Sequence, residues 1–155
     1  MQWLHAVPDP EIPVISIVDL GIVRHVDFDD DACVVTITPT YSGCPAMREI
    51  AQDIERVLKE NGMTQVRVEK TLTPAWTTDW MSERGKNALR DYGIAPPVER
   101  AVDISGLSRR NDPPVACPQC GSLRTRLVSQ FGSTACKALY RCSACSEPFD
   151  YFKTH

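Results

Sequence analysis

The 155-residue sequence contains no long apolar run, since no stretch approaches the ~18 consecutive apolar residues of a membrane-spanning helix. Its opening residues, MQWLHAVPDP, also lack the basic start and the apolar segment of a secretory signal. The composition, 43% hydrophobic and 24% charged, is typical of a folded soluble protein. We therefore expect a cytoplasmic protein with no membrane partner.

Common catalytic motifs are missing as well. The sequence has no G-x-G-x-x-G, no P-loop, no H-E-x-x-H and no Glu-x-x-His pair of the kind that holds a di-iron centre. His5, His25 and His155 show no ligand spacing and are predicted to be surface or local structural residues. These absences argue against an enzyme that turns over an organic substrate and favour a non-catalytic protein.

Charge is divided unevenly along the chain. Residues 1–108 carry 10 lysines and arginines against 17 aspartates and glutamates, a net −7, whereas residues 109–155 carry 7 against 3, a net +4. This difference in sign suggests two modules. Prolines bracket a stretch without periodicity between them, which is typical of a semi-rigid linker. We predict a first domain over residues 1–93, a linker over 94–114 and a second domain over 115–155.

Cysteine spacing gives the strongest prediction. C-P-Q-C at 117–120 and C-S-A-C at 142–145 are separated by 21 residues. Two such turns can direct four thiolates at one ion, which is the tetrahedral site that Zn²⁺ accepts. A segment this short also needs a staple to fold. We predict a zinc ribbon held by Cys117, Cys120, Cys142 and Cys145, with disulfides or a rubredoxin-type iron site as the alternatives.

Strands are predicted between and after the cysteine pairs, at residues 124–129, 138–141 and 149–152. Cys136 lies outside the ligand spacing. It is either a buried small residue or an accessory thiol near the metal, with Lys137 beside it to favour the thiolate.

Periodicity in the first domain predicts an α+β fold, in which one helix packs across a small mixed sheet. A hairpin is expected over residues 22–38, and an amphipathic helix over 45–61 carries apolar residues on one stripe. A strand through Val66 and Val68 should follow, extending as far as Leu72. A second helix is expected over 78–92, capped by Thr77 or Thr78.

One thiol and three carboxylates of this domain are candidates for metal chemistry. Cys44 lies at the start of the amphipathic helix, where backbone N–H groups and the helix dipole favour a thiolate. Asp9 and Glu11 belong to DPEIP, and Asp19 belongs to SIVDLG. A thiolate near carboxylates could hold iron transiently. The alternatives are an inert packed thiol, helix capping and turn chemistry.

The segments DPEIPVISIVDLGIV and TPTYSGCP, followed by an amphipathic helix, resemble the SufT-like family of metal–sulfur cluster assembly domains over residues 8–72. WTTDWMSERGKNALRDYGIAPP and FGSTACKALYRCSACSEPFDYFK resemble the D-protein family of bacterial phenylacetyl-CoA epoxidase systems. That second resemblance covers essentially the whole chain. The resemblances imply a SufT-like domain followed by a zinc ribbon.

The resemblance also implies a role in aerobic phenylacetate degradation, in a system that epoxidises the aromatic ring. The implied partners are the separate di-iron oxygenase subunits and a reductase that carries flavin and an iron–sulfur cluster. A D protein would assist assembly or maturation of these centres. On this resemblance Cys44, Asp9, Glu11 and Asp19 occupy the positions for transient iron or cluster transfer, and the four ribbon cysteines hold structural zinc. A homo-oligomer is compatible with it.

Two other functions stay open from the residues themselves. Zinc ribbons often act as interaction or nucleic-acid-binding modules, and the tail combines basic and aromatic side chains at Arg124, Arg126, Phe131, Lys137, Tyr140 and Arg141. The acidic first half opposes a polyanion, so we expect no nucleic-acid partner. The other open function is a thiol redox enzyme that uses Cys44 or Cys136, although the sequence has no thioredoxin-like C-x-x-C at a helix start.

Overall fold

The computed structural model describes residues 2–29, 32–98 and 114–154. The chain forms two compact units, a first unit that ends at Ala88 and a second unit from Leu89 to Thr154. Within these described ranges, no helix has the length and apolar character to cross a membrane.

The first unit is the expected mixture of small sheets and helices. In chain order it contains a 3-10 helix (Gln2–Ala6), β1 (Pro8–Asp9), β2 (Ile12–Ser16), β3 (Val23–Asp29), β4 (Ala32–Ile37), α1 (Met47–Glu60), β5 (Gln65–Lys70) and a 3-10 helix (Thr78–Trp80). A second helix, α2 (Glu83–Tyr92), spans the division between the units. β1 and β2 form a two-stranded antiparallel sheet, and β3, β4 and β5 form a three-stranded sheet in that order.

The predicted hairpin and amphipathic helix are confirmed. β3 and β4 pair antiparallel, with Asp29 opposite Ala32; Asp30 and Asp31 of the predicted turn lie outside the described residues. All five apolar residues of the predicted stripe of α1 are buried: Met47, Ile50, Ile54, Val57 and Leu58. The burial of this face, rather than helix propensity alone, holds α1 in place.

β5 pairs parallel with β4, and α1 is the connection between them. The carboxyl ends of both strands therefore lie at the same edge of the sheet, where Ile37 is opposite Lys70. The segment TPTYSGCP leaves from the end of β4 at this edge. β5 ends at Lys70, so the predicted extension of this strand to Leu72 is wrong.

The second predicted helix begins later than expected. Thr77 does act as a cap, but for the 3-10 helix, where its hydroxyl accepts a hydrogen bond from the Asp79 N–H at 3.4 Å. Met81 is extended, and α2 begins at Glu83 because the Ser82 hydroxyl accepts from the Gly85 N–H at 3.0 Å. The serine breaks the predicted helix into two pieces.

The second unit is built around one four-stranded sheet. Its strands are β6 (Ile94–Ala95), β7 (Thr125–Ser129), β8 (Lys137–Cys142) and β9 (Pro148–Phe152), in the order β6, β9, β8, β7. β7, β8 and β9 confirm the three strands expected in the ribbon. Ala95, Val115, Ala138, Phe149 and Tyr151 share its small core.

β6 pairs parallel with β9 at the point where the sequence predicted the beginning of a linker. Ile94 and Ala95 are both buried. In the predicted linker these two apolar side chains would be exposed to water, which is unfavourable. Val98 is held as well, since its N–H donates to the Tyr151 hydroxyl at 3.4 Å and its carbonyl accepts from Thr154 Oγ1 at 3.1 Å. Residues 99–113, which make up most of the predicted linker, lie outside the described residues.

Candidate metal centre and cysteine site

The four ribbon cysteines converge on one point. Their Sγ atoms all lie within 4.8 Å of one another. The Cys117 and Cys145 sulfurs are 3.7 Å apart, and those of Cys120 and Cys142 are 3.6 Å apart. A tetrahedral zinc site with Zn–S bonds of about 2.3 Å has sulfur–sulfur edges of about 3.8 Å. The donor set and its spacing therefore fit a Zn²⁺ ion.

The same distances oppose the disulfide alternative. A disulfide needs sulfurs about 2.05 Å apart, and all seven cysteines are free thiols. The shortest sulfur distances also join cysteines of different C-x-x-C turns. The arrangement is that of ligands around a shared ion.

Backbone geometry explains why each C-x-x-C turn can present two sulfurs. Gly121 and Ser146, which follow the two turns, have φ values of 72° and 67° in the left-handed region. The Gly121 N–H donates to the Cys117 carbonyl at 2.8 Å and closes the first turn. Glycine adopts such a φ without steric cost. Ser146 does not have this freedom, and it is the one non-glycine residue with positive φ in the described ranges.

Local hydrogen bonds divide the thiols by acidity. The backbone N–H groups of Cys145 and Ala144 lower the pKa of Cys142 to about 6. The Glu147 backbone lowers the pKa of Cys145, but burial and the neighbouring sulfurs outweigh it and raise this pKa to about 12. Without a cation the four groups thus do not all ionise at neutral pH, so metal binding must release protons.

Cys136 is a buried residue outside this cluster. Its sulfur lies 3.0 Å from Thr134 Oγ1, and its carbonyl accepts from the Lys153 N–H. The neighbouring Lys137 is also buried, with its Nζ 4.0 Å from Asp150 Oδ2. The lysine charge is thus directed at a carboxylate, and its predicted effect on the Cys136 thiol stays a prediction.

In the first unit, Cys44 lies in the loop that follows β4. Its N–H donates to the Tyr41 carbonyl at 3.1 Å, and its half-buried thiol has hydrogen bonds to the Tyr41 side chain and the Ala46 backbone. The carboxylates of Glu11 and Asp9 both act electrostatically on this thiol. Both carboxylates thus lie within electrostatic range of the thiol, but among the described residues only the four ribbon cysteines converge on one point.

The acidity of Cys44 differs from the sequence-based expectation of a stabilised thiolate. Burial raises the pKa of this thiol, and Glu11 and Asp9 raise it further, against the lowering effect of Ala46 and Tyr41. α1 begins at Met47, three residues later, and the lowering effect of its N-cap residue Ala46 does not offset the burial. The site therefore favours a neutral thiol.

Asp9 also shapes the turn that presents Glu11. Its Oδ1 accepts hydrogen bonds from the backbone N–H groups of Glu11 and Ile12, both at 2.9 Å. This is the turn chemistry that the sequence left open for DPEIP. Asp9 is buried and Glu11 is half-buried, so the turn holds one carboxylate inside the fold and leaves the other partly accessible.

The fourth predicted carboxylate, Asp19, has a different set of partners. Its oxygens accept from Ser16 Oγ at 2.6 Å, from Ser82 Oγ at 2.7 Å and from Arg84 Nε at 3.1 Å. Burial opposes ionisation, but the hydrogen bonds of Arg84, Ser16 and Ser82 hold the pKa of Asp19 well below its ordinary value. We call Ser16, Asp19, Ser82 and Arg84 the Asp19 clasp.

Sequence reasoning missed the clasp because its members are distant in sequence. Only the Ser16-x-x-Asp19 spacing was visible locally, as a side-chain turn. His5 also contacts the clasp, with its Nδ1 2.6 Å from Arg84 Nη2 and 3.6 Å from Asp19 Oδ2. The spacing of histidines in the sequence does not predict this contact of His5 with Arg84 and Asp19.

Comparisons with known proteins agree with this architecture. Residues 1–69 match the family described as "Iron-sulfur cluster assembly protein", and residues 103–153 match the "PaaD zinc beta ribbon domain". A crystal structure of a DUF59 domain from Bacillus anthracis is similar at 36% identity with a TM-score of 0.53, covering 57% of this chain and 85% of that one.

One curated relative matches about half of the chain, and another matches nearly all of it. The "Fe-S protein maturation auxiliary factor SufT" of Staphylococcus aureus (strain USA300) is 41% identical over 52% of this chain and 93% of its own length. A protein of Escherichia coli (strain K12), named for the D component of 1,2-phenylacetyl-CoA epoxidase, is 51% identical over 97% of this chain and 88% of its own. The chain belongs to the D-protein family of phenylacetyl-CoA epoxidase systems.

Proposed function

We propose that this protein is a non-catalytic accessory component of a phenylacetyl-CoA epoxidase system in aerobic phenylacetate degradation. It assists assembly or maturation of the iron or iron–sulfur centres of that system. The partners are the oxygenase subunits and the flavin and iron–sulfur reductase. Support comes from the near full-length relative named for the epoxidase D component and from the relatives named as Fe-S maturation factors.

The observation that carries the proposal is one half-buried thiol, Cys44, within electrostatic range of the carboxylates of Glu11 and Asp9. Sulfur and carboxylate donors are both ligands that iron accepts. Two negative groups attract a cation, and a bound cation reverses the electrostatic balance that keeps the thiol protonated. The cargo in this proposal is iron or a cluster, held for a short time.

A single thiol suits transfer better than storage. The permanent site in the second unit uses four sulfurs around one point, whereas Cys44 can offer only one. Cys44 is half-buried, so a partner's ligands can reach the cargo. Tyr41 and Ala46 hold the sulfur in place without adding a strong metal ligand of their own.

The zinc ribbon has a structural role in this proposal. Its core is small, and a structural zinc contributes about 10–16 kcal/mol to the folding of such domains near neutral pH. Zinc binding by the four cysteines would thus provide a rigid second unit, available for contact with the epoxidase subunits.

The test is iron loading of the client proteins. The oxygenase and reductase components are coexpressed with the wild type, with Cys44→Ala or with Cys136→Ala, and the iron content of each purified component is measured. We expect Cys44→Ala to lower iron loading severalfold, whereas Cys136→Ala supports it fully. Full iron loading with Cys44→Ala would contradict the proposal.

A further inference from the structure

The strand β7 forms one edge of the sheet in the second unit. Among the described residues β8 is the one strand that pairs with it, because the strand order is β6, β9, β8, β7. An edge strand directs alternate backbone N–H and C=O groups away from its neighbour, where another extended chain can pair with them. We call residues 124–131, which contain β7 and the residues that flank it, the β7 edge.

Apolar side chains of the β7 edge are exposed instead of packed in the core of the sheet. Val128 has 49% of its surface exposed and Phe131 has 69%, and Leu127 between Arg126 and Val128 is exposed as well. The Phe131 ring centroid lies 4.9 Å from Lys153 Nζ, which places a positive charge beside this aromatic ring. Exposed apolar residues grouped in this way are typical of a contact surface.

Uncompensated positive charge lies beside these apolar residues. Arg126 on β7 is directly opposite Arg141 on β8, so the two exposed side chains share one face of the sheet. Like charges directly opposite each other destabilise a sheet. Arg141 Nε donates to the Ser146 carbonyl, and within the described part of the chain neither arginine has a carboxylate partner. An anionic group that binds beside them would remove this repulsion.

These charges decide which chain fits the β7 edge. A second copy paired antiparallel through β7 would bring Arg124 and Arg126 of both copies together, and residues 124–131 contain no acidic side chain to offset them. A strand that carries aspartates or glutamates would instead neutralise the arginines. Nucleic acid would also neutralise them, but it has no strand to pair with the backbone of β7. The combination of backbone, apolar side chains and charge therefore favours an acidic polypeptide.

We propose that the β7 edge is a docking strand for an extended segment of a partner protein, in which apolar residues adjoin acidic ones. The segment adds a strand beside β7, with its acidic side chains near Arg124 and Arg126 and its apolar side chains near Leu127 and Val128. This binding goes beyond the proposed role in iron loading, because it needs neither Cys44 nor a metal there.

The test titrates the full-length zinc-bound protein into a fluorescein-labelled peptide, T-V-I-V-E-D-E, and measures fluorescence anisotropy. One control peptide has lysines in place of its three acidic residues, and another carries N-methyl groups on its strand residues, which removes the N–H groups needed for pairing. We expect the lysine peptide to bind at least about fivefold more weakly than the acidic one. The N-methylated peptide should not bind, and the acidic peptide should shift the backbone amide resonances of residues 124–131.

Arg126→Glu is the decisive variant, because it reverses one exposed charge of the β7 edge. It should weaken binding of the acidic peptide and strengthen binding of the lysine peptide, a reversal that a loss of structure would not produce. Arg48→Glu is the matched control, since it makes the same change at an exposed position of α1 and should bind both peptides as the wild type does. Zinc content checks the fold of each variant. Should Arg126→Glu lose its zinc, Arg124→Glu supplies the same reversal.

The proposal is overturned if the acidic peptide does not bind, if the N-methylated peptide binds as tightly, or if Arg126→Glu leaves the preference for acidic side chains unchanged. Binding of oligothymidylate without binding of the acidic peptide would overturn it in favour of a nucleic-acid site. A dimer in sedimentation experiments that Arg126→Glu alters, again without peptide binding, would overturn it in favour of a second copy. The outcome of the iron-loading experiment with Cys44→Ala does not affect any of these results.

Discussion

Arg84 and Asp19 lie 65 residues apart in the sequence, and two nitrogens of the guanidinium, Nε and Nη2, donate to the same carboxylate. Ser82 completes this arrangement, since it donates to Asp19 and caps α2. The start of the second helix is thereby fastened to the loop after β2. This contact makes Asp19 a structural centre of the first unit, and its predicted part in iron transfer has to be tested separately.

Asp19→Asn should destabilise the first unit by about 2 kcal/mol, because hydrogen bonds to a charged group are lost from a buried position. Arg84→Met should cost less, since the Arg84 side chain is largely exposed. Chemical denaturation followed by tryptophan fluorescence measures this, because Trp3, Trp76 and Trp80 all lie in the first unit. Equal stability of Asp19→Asn and the wild type would contradict a structural role.

The clasp also makes stability depend on acidity. The folded-state pKa of Asp19 is lowered, so the unfolded chain takes up a proton at a pH where the folded carboxyl stays ionised. The stabilisation is fully present above the pKa of the unfolded chain and is lost as the pH falls toward the folded-state pKa. We expect the stability difference between the wild type and Asp19→Asn to shrink as the pH falls below about 4, as measured by urea unfolding. A constant difference would exclude this linkage.

Elemental analysis of the purified, reduced protein should find about one zinc per chain. Cys142→Ser should lose the metal and become sensitive to protease within residues 114–154, while tryptophan fluorescence of the first unit stays unchanged. Cys136→Ser is the matched control, because Cys136 lies outside the four-sulfur cluster and should be dispensable for zinc. Iron in place of zinc, with visible absorbance, would instead support the rubredoxin alternative.

Cys44 should react slowly with iodoacetamide at neutral pH, because burial raises its pKa and the thiolate is the reactive form. Glu11→Gln removes a negative charge that raises the pKa further, so this variant should react faster. The rate is read by mass spectrometry of the peptide that contains Cys44, on zinc-loaded protein and against a free cysteine peptide. Alkylation of wild-type Cys44 that is faster than that of the free cysteine peptide would instead support the redox-enzyme alternative.

Two glycines provide a matched pair for backbone strain. Gly21 and Gly62 have φ values of 77° and 93°, so alanine at either position costs about 1–2 kcal/mol from the left-handed conformation alone. A Cβ at Gly21 would also lie 2.7 Å from the Cβ and the carbonyl oxygen of Trp80, whereas nothing lies within 4 Å at Gly62. Gly21→Ala should therefore unfold at lower urea concentration than Gly62→Ala. Equal midpoints would mean that Trp80 can move aside.

Local patterns in the sequence were sufficient to predict the elements that depend on periodicity and spacing. The stripe of α1, the hairpin and the four zinc ligands all follow from neighbours within a few residues or from two short motifs. The resemblance to known families added the expected role of Cys44. These features are fixed by the chain itself, so a single sequence shows them.

Long-range contacts could not be predicted in this way. The pairing of β6 with β9 joins Ile94 to Asp150, and the Asp19 clasp joins residues on separate segments of the chain. The acidity of Cys44 was predicted with the wrong sign because a helix start is visible in sequence, whereas burial and the approach of Glu11 are not. The sequence likewise does not indicate that the buried Thr38 hydroxyl lacks a hydrogen-bond partner.

The pairing of β6 with β9 has a practical consequence for dividing the chain into fragments. Because Ile94 and Val115 both contribute to the second unit, a cut between Val98 and Pro114 leaves the polypeptide from the first unit still connected to part of the ribbon sheet. A fragment designed from the zinc-binding motifs alone would lack an edge strand and expose β9 to pairing with other chains. An expression boundary for the ribbon therefore belongs upstream of Ile94.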